Sequence, residues 1–342
     1  MNQEGNDPLI GIYRGDELET VHCGSVAVVN AAGETLYTAG DPGQRVFLRS
    51  GAKPFQVLPL IESGAAERFG FSEREIAVMV GSHGGEPMHL EVVASILEKT
   101  GISPDHLQCG IHPPFHRESA RKLIREDRPA DILMNNCSGK HAGMLALARH
   151  LDEDLDRYTE IGHRVQELCR EAVATICAIP EEDLVVARDG CSVPTFSLPL
   201  TASARGYARL REPNGVSGSR AAALRRVADA MTRHPELVGG SDRVSTGLMQ
   251  AFADSLIAKD GAEGFFGVAV PGNPGGIGIA LKMADGDSGA SRAAAVLEVL
   301  RQIAAVSAEP WQAAWDRWVP GVTTLRGETV GRVASIFTLK RP

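Results

Sequence analysis

Ser-Val-Ala-Val-Val-Asn (25–30), then Ala31-Ala32-Gly33, then Glu-Thr-Leu-Tyr-Thr (34–38) is the stretch that sets the fold class. β-Branched and aromatic residues on both sides of a glycine turn predict a β-hairpin near the N-terminus. Strand patterns return only towards the other end, at 264–270 (Gly-Phe-Phe-Gly-Val-Ala-Val), 277–283 (Ile-Gly-Ile-Ala-Leu-Lys-Met) and near 333–339. Between them, apolar residues recur at helical spacing. Leu90, Val93, Ile96 and Leu97 share one face ahead of a stop at Gly101, and Ile161, Val165, Leu168, Ala172 and Ile176 mark a helix over about 158–176. Further helices are expected over about 219–233, 243–257 and 289–306. Strands, a long helical middle and strands again predict an α/β unit spanning 1–342. Its sheet is built from both chain ends (about 8–50 and 258–342), with a mostly helical part (about 50–257) beside it. Doubly wound βα repeats and a nucleotide fingerprint are absent.

Composition narrows the function. The 342 residues carry 35 basic and 43 acidic side chains, a net charge of −8, with no Lys/Arg-rich run; this argues against a nucleic-acid surface. No apolar stretch approaches the ~20 residues needed to span a bilayer, and the polar start Met1–Asp7 lacks a signal-peptide pattern, so no membrane partner is expected and the cytoplasm is the expected location. The six cysteines, Cys23, Cys109, Cys137, Cys169, Cys177 and Cys191, are sparse and show no disulfide-framework spacing.

Four short blocks concentrate nucleophiles, bases and glycine: Arg-Ser-Gly-Ala-Lys-Pro (49–54), Gly-Ser-His-Gly-Gly-Glu-Pro-Met-His (81–89), Asn-Asn-Cys-Ser-Gly-Lys-His-Ala-Gly-Met (135–144) and Asp-Gly-Cys-Ser-Val-Pro-Thr (189–195). Ser50 and Lys53 stand one helical turn apart, so an uncharged amine there could take the serine proton. Ser119 and Lys122 repeat that spacing in a polar context that suggests a solvated helix face. Ser82 lies among three glycines, whose amides could serve an oxyanion; the bland alternative is a flexible turn capping the next helix. Lys259-Asp260-Gly261 precedes a C-terminal strand and could aim an ammonium into a cleft, or be an ordinary polar turn. The order Ser-x-x-Lys, serine loop, Lys-x-Gly is that of serine β-lactamases and penicillin-binding proteins. Cys137, Lys140 and Cys191 are a possible metal set, His141 being the commoner kind of ligand; buried inert thiols or a nucleophilic Cys137 remain alternatives. Asn135, Asn136 and Asp189 suit the holding of a small polar substrate.

The blocks LRSGAKP, GSHGGEPMH, NNCSGKHAGML, DGCSVPTF, MTRHPELVGG and KDGAEG together resemble the rhizobial-type, or thermolabile, L-asparaginases, the asparaginase II family, over about residues 9–340. The resemblance implies a serine β-lactamase-like α/β fold, a homodimer, and hydrolysis of L-asparagine to L-aspartate and ammonia. It puts two Ser-Lys pairs on Ser50 with Lys53 and Ser82 with Lys259, Lys282 being a nearby competitor for the last position. It also implies a zinc site at Cys137, Lys140 and Cys191; Arg49, His83, Asn136 and Asp189 are the side chains expected to hold the substrate. Another serine amidase or esterase of the same fold, or a non-catalytic zinc-binding protein, are the rival readings.

Overall fold

A computed structural model of the chain describes residues 5–216, 218–253, 255–272, 275–287 and 289–342. It divides into two compact units: Met1–Leu48, Leu198–Glu212 and Leu248–Pro342 form one, Arg49–Ser197 and Pro213–Gly247 the other.

The first unit is built on an antiparallel sheet. Its strands are β1 (Asp7–Arg14), β2 (Glu17–Asn30), β3 (Thr35–Ala39), β4 (Ile257–Asp260), β5 (Phe265–Gly272), β6 (Gly275–Met283), β7 (Val322–Thr323) and β8 (Thr329–Ser335). They lie in the order β7-β8-β1-β2-β6-β5-β4, with β3 added beside β2. The N-terminal and C-terminal strands thus share one sheet, as expected from the sequence. The hairpin at 25–38 is β2 and β3, paired Val26↔Ala39, Ala27↔Thr38 and Val28↔Tyr37. The other edge of β2 pairs with β6, Val26↔Leu281 and Val28↔Ile279. Val26 to Val29 are all buried, which explains their unbroken apolar run: both faces of this strand are covered. On one face, glycines let the helix Leu200–Arg211 come to backbone distance. A Cβ at Gly278 would stand 1.8 Å from the carbonyl oxygen of Ala204, and one at Gly267 2.0 Å from the Tyr207 ring. Phe266, next along β5 and so facing the other way, lies under the guanidinium of Arg292 at 5.2 Å, on the helix Ala290–Gln302.

Several elements depart from the sequence reading. The helix expected over 243–257 ends at Ala251, and Ile257 opens β4; residue 254 lies outside the described residues. Ile257-Ala258-Lys259 fits either period, and pairing with Ala269, Val268 and Gly267 of β5 decides for strand. The final strand runs 329–335 rather than 333–339, and the helix Ala308–Trp318 was not anticipated. β1 and the first half of β2 also escaped notice, because Glu17–Val21 are exposed and carry no apolar alternation.

The second unit is mostly helical. The helix Ser138–Leu151 is buried on every side from Ser138 to Ala148, the mark of a helix at the centre of its unit. Two glycines make that possible: a Cβ at Gly139 would lie 2.4 Å from the Val78 carbonyl oxygen, and one at Gly143 3.1 Å from Met79. The glycine in Cys-Ser-Gly-Lys-His therefore serves close packing against the helix Glu73–Met79. The helix Pro87–Thr100 ends, as read, on Gly101 in the left-handed region (φ 65°). The helix expected from about 158 begins only at Arg164, because Gly162 interrupts the pattern and His163 accepts the Val165 N–H as its cap; Ile161 is consequently exposed.

Glu73–Met79 opens with a reciprocal capping box, Ser72 Oγ accepting from Glu75 N and Glu75 Oε2 accepting from Ser72 N at 2.7 Å. Ser72→Ala is expected to cost about 1 kcal/mol, read as a lowered urea midpoint with turnover unchanged.

Candidate active site

Four segments of the second unit meet around Lys53. The chain enters through Arg49, which sits in the left-handed region (φ 49°), a conformation that costs a non-glycine residue about 1 kcal/mol and that gathers at functional sites. A 3-10 turn over Arg49–Ala52 leads into the short helix Lys53–Gln56, where Pro54 is tolerated because it occupies the first turn. Lys53 is 1% exposed. Its Nζ donates to the carbonyl oxygens of Gly81 (2.5 Å) and Asn136 (3.5 Å) and lies 2.9 Å from Ser82 Oγ. The hydroxyl bound to Lys53 is thus that of Ser82, 29 positions away, and not that of Ser50. Ser82 is buried, whereas Ser50 is half-exposed.

Four amides of the glycine-rich loop are engaged within the unit. Ser82 N donates to Val238 O (2.8 Å), His83 N to Asn136 O (3.2 Å), Gly85 N to His83 Nδ1 (3.2 Å) and Glu86 N to His89 Nδ1 (3.1 Å). These donors are spent holding the loop in place. Gly81 is required for the same reason, since a Cβ there would meet the Leu237 carbonyl oxygen at 2.7 Å.

His83 was expected to touch substrate, but its ring is committed inside the unit. Nδ1 accepts from Gly85 N, and Nε2 stands 3.0 Å from Ser138 Oγ, which itself donates to Leu133 O. Nε2 must therefore carry the proton. The ring stacks on His89 at 4.9 Å, and burial, with the neighbouring cations, pushes the His83 imidazolium well below its usual range. His83 is thus neutral, with both ring nitrogens engaged inside the unit. His89 Nε2 in turn donates to Glu236 O (2.9 Å).

Asn135 pins the start of the helix Ser138–Leu151. Its Oδ1 accepts from Cys137 N (2.8 Å) while Nδ2 donates to the carbonyls of Cys109 (2.9 Å) and Gly110 (3.0 Å). This directs Cys137 and Lys140 toward the turn at 189–193. There Asp189 Oδ1 accepts from Gly190 N (2.6 Å) and from Arg49 Nε (2.7 Å), and Ser192 adopts a left-handed φ of 78°. Burial alone would raise the Asp189 carboxyl, but the Lys140 and Arg49 charges outweigh it and hold it below the ordinary carboxylate range. Lys140 Nζ lies 2.9 Å from Cys191 Sγ, and all three of Cys137, Lys140 and Cys191 are buried. The neighbouring Cys191, with help from the Lys53 and Lys140 charges, lowers the Cys137 thiol against the cost of burial, while Cys137 and burial push Cys191 up.

Among the described residues, no group of three His, Cys, Asp or Glu side chains could hold a metal ion, so any ion here must use the lysine. Two buried thiols and a buried amine, the amine in contact with Cys191, fit a soft divalent cation once the amine is deprotonated. His141, the alternative ligand, places Nδ1 2.6 Å from the buried Tyr158 hydroxyl, which accepts from Gln108 N, while its own buried Nε2 has no hydrogen-bond partner among the described residues. Neither Tyr158 nor His112, which contacts Asn136, was singled out in the sequence. Nothing in local pattern marks Tyr158, and the only signal for His112 is the rigid Pro113-Pro114 after it.

Lys259 belongs to the first unit. It lies on β4, fully buried, with Nζ 2.7 Å from the carbonyl oxygen and 3.2 Å from Oδ1 of Asp260. Its competitor Lys282 is half-buried on β6, and its ammonium is hydrogen-bonded to the Glu263 carbonyl.

No helix among the described residues is long and apolar enough to cross a membrane. The family model described as L-asparaginase II matches residues 10–335. Among solved structures, a β-lactamase from Mycobacterium bovis matches with 14% identity over 86% of this chain and 93% of its own, at a TM-score of 0.40. A Bacillus glutaminase matches with 13% identity over 82% of this chain and 90% of its own, at a TM-score of 0.37. No curated protein matches the chain.

Proposed function

The chain belongs to the L-asparaginase II family, and from that premise we propose that it hydrolyses L-asparagine by acyl transfer, with Ser50 as nucleophile, Lys53 as base and Ser82 as proton relay. The observation that carries this is the buried contact of 2.9 Å between Lys53 Nζ and Ser82 Oγ. An uncharged amine has two N–H groups and one lone pair. Two backbone carbonyls, of Gly81 and Asn136, can take the N–H groups, which leaves the lone pair to accept a hydroxyl proton. Ser50 is the better attacking group because it is the more exposed of the two serines and one turn from the same amine.

In this scheme Ser50 Oγ attacks the side-chain amide carbon while its proton passes to Lys53. Ser82 then carries that proton to the departing nitrogen, releasing ammonia and leaving an aspartyl ester on Ser50. Water, deprotonated by the same amine, hydrolyses the ester to L-aspartate. Arg49 would pair with the substrate carboxylate, with Asp189 and Asn136 offered to its ammonium group. Lys259 enters through the family resemblance as a second catalytic lysine.

Cys137, Lys140 and Cys191 would hold a zinc ion, with Asp189 beside it. A bound zinc ion would supply fixed positive charge near the substrate. Protein purified with zinc present is expected to contain about one ion per chain by elemental analysis, and Cys191→Ala to contain almost none while keeping its circular dichroism. A zinc-free wild type would leave the cluster as a thiolate–ammonium contact only.

The function is tested by ammonia release from asparagine and glutamine beside hydrolysis of nitrocefin and p-nitrophenyl esters. Asparagine is expected to be turned over with the highest kcat/KM. A preference for the lactam or the esters would replace the asparaginase assignment with a general serine hydrolase.

A further inference from the structure

The loop His112–Phe115 carries an arrangement that the scheme above does not use. His112 Nδ1 lies 2.7 Å from the carbonyl oxygen of Pro113, which can only accept, so Nδ1 bears a proton. The backbone N–H of Asn136 points at His112 Nε2, 3.2 Å away. Nε2 therefore presents its lone pair. The near end of the Asn136 carboxamide also lies 3.2 Å from this nitrogen, with Oδ1 placed there. Two acceptors cannot satisfy one another, and a carboxamide looks the same after half a turn about its last bond. The proton positions decide between the two ends: the NH2 faces His112 and the carbonyl oxygen faces away from it.

The imidazole is held in this pose from behind. It stacks on Phe115 at 4.6 Å, and the Arg243 guanidinium covers that ring at 5.3 Å, which gives the half-exposed phenylalanine a structural role. Asn136 is at the same time part of the serine–lysine cluster, since its own carbonyl receives Lys53 Nζ and His83 N.

We infer that His112 is a positioning residue that turns the Asn136 side-chain oxygen, rather than its NH2, toward the substrate, as an acceptor for the α-ammonium group. This rests on the asparaginase reading for the identity of the substrate but not for the state of the ring. An acceptor at that point favours an α-amino substrate over its deamino analogue, so Asn136 and His112 together select for an amino acid.

Two measurements test it. In 15N-histidine-labelled wild type, His112 is expected to resonate as the neutral tautomer with Nδ1 protonated, the rarer of the two forms. A proton on Nε2 of the neutral ring would overturn the inference. His112→Phe keeps a ring for Phe115 to stack on and removes the lone pair. It is expected to raise KM for L-asparagine about tenfold with kcat within about twofold, and to leave the affinity for succinamate, which lacks the ammonium, unchanged, whether read as KM or as Ki against asparagine. Equal losses for both compounds, or none for either, would also overturn it. If wild type proves inactive on asparagine, the asparaginase reading fails while the tautomer measurement still decides the orientation of Asn136.

Discussion

Ser50→Ala is expected to lower kcat for L-asparagine by at least about 10⁴-fold with KM nearly unchanged, because removing a covalent nucleophile deletes the reaction path and leaves binding intact. Lys53→Met should match it closely, since serine and lysine act as one unit and their losses do not add. Ser82→Ala should cost less, about 10²–10³-fold, because water can enter the space of the lost hydroxyl and carry the proton. Steady-state kinetics with asparagine, on proteins of confirmed fold, read all three. The ranking is the informative part. Lys53 is fully buried and bonded to Ser82 while Ser50 is half-exposed, so a scheme with Ser82 as nucleophile predicts the reverse order of the two serines.

The largest effect on stability is expected at Gly278, far along the chain from these residues. A Cβ there would lie 1.8 Å from the Ala204 carbonyl oxygen and 2.4 Å from Ala208 N, both backbone atoms of the helix Leu200–Arg211. Backbone cannot rotate away as a side-chain end can, so the helix must lift from the sheet. Gly278→Val should therefore cost about 3 kcal/mol or more, the upper range for overpacking, and lower the thermal midpoint by roughly 6–12 °C. Gly162→Ala, where nothing lies within 4 Å of the added carbon, is the matched control and should leave the midpoint almost unchanged.

What the sequence could and could not reveal follows from how local each signal is. The strand is legible at Val26–Val29 because a run buried on both faces is apolar, and Lys53 is legible from its Ser-x-x-Lys spacing to Ser50. The Lys53–Ser82 contact is not, since it depends on how the 81–89 loop is seated. That seating is set by Met231-Thr-Arg-His-Pro-Glu-Leu-Val-Gly-Gly240, whose Val238 carbonyl receives Ser82 N and whose Glu236 carbonyl receives His89 Nε2. This block belongs to the family pattern yet holds none of the expected site residues; its work is to fix the serine. The glycines at 81 and 139 likewise look like functional flexibility in sequence and prove to be contact points with the Leu237 and Val78 carbonyls. His83 looks reactive until both of its nitrogens are seen to be engaged.

The most direct test of the central claim is to quench the enzyme with acid during turnover of L-asparagine and locate the aspartyl ester by peptide mass spectrometry. The account predicts an adduct on the peptide bearing Ser50 that is absent from Ser50→Ala and Lys53→Met. An adduct on Ser82, or full turnover in Ser50→Ala, would contradict it.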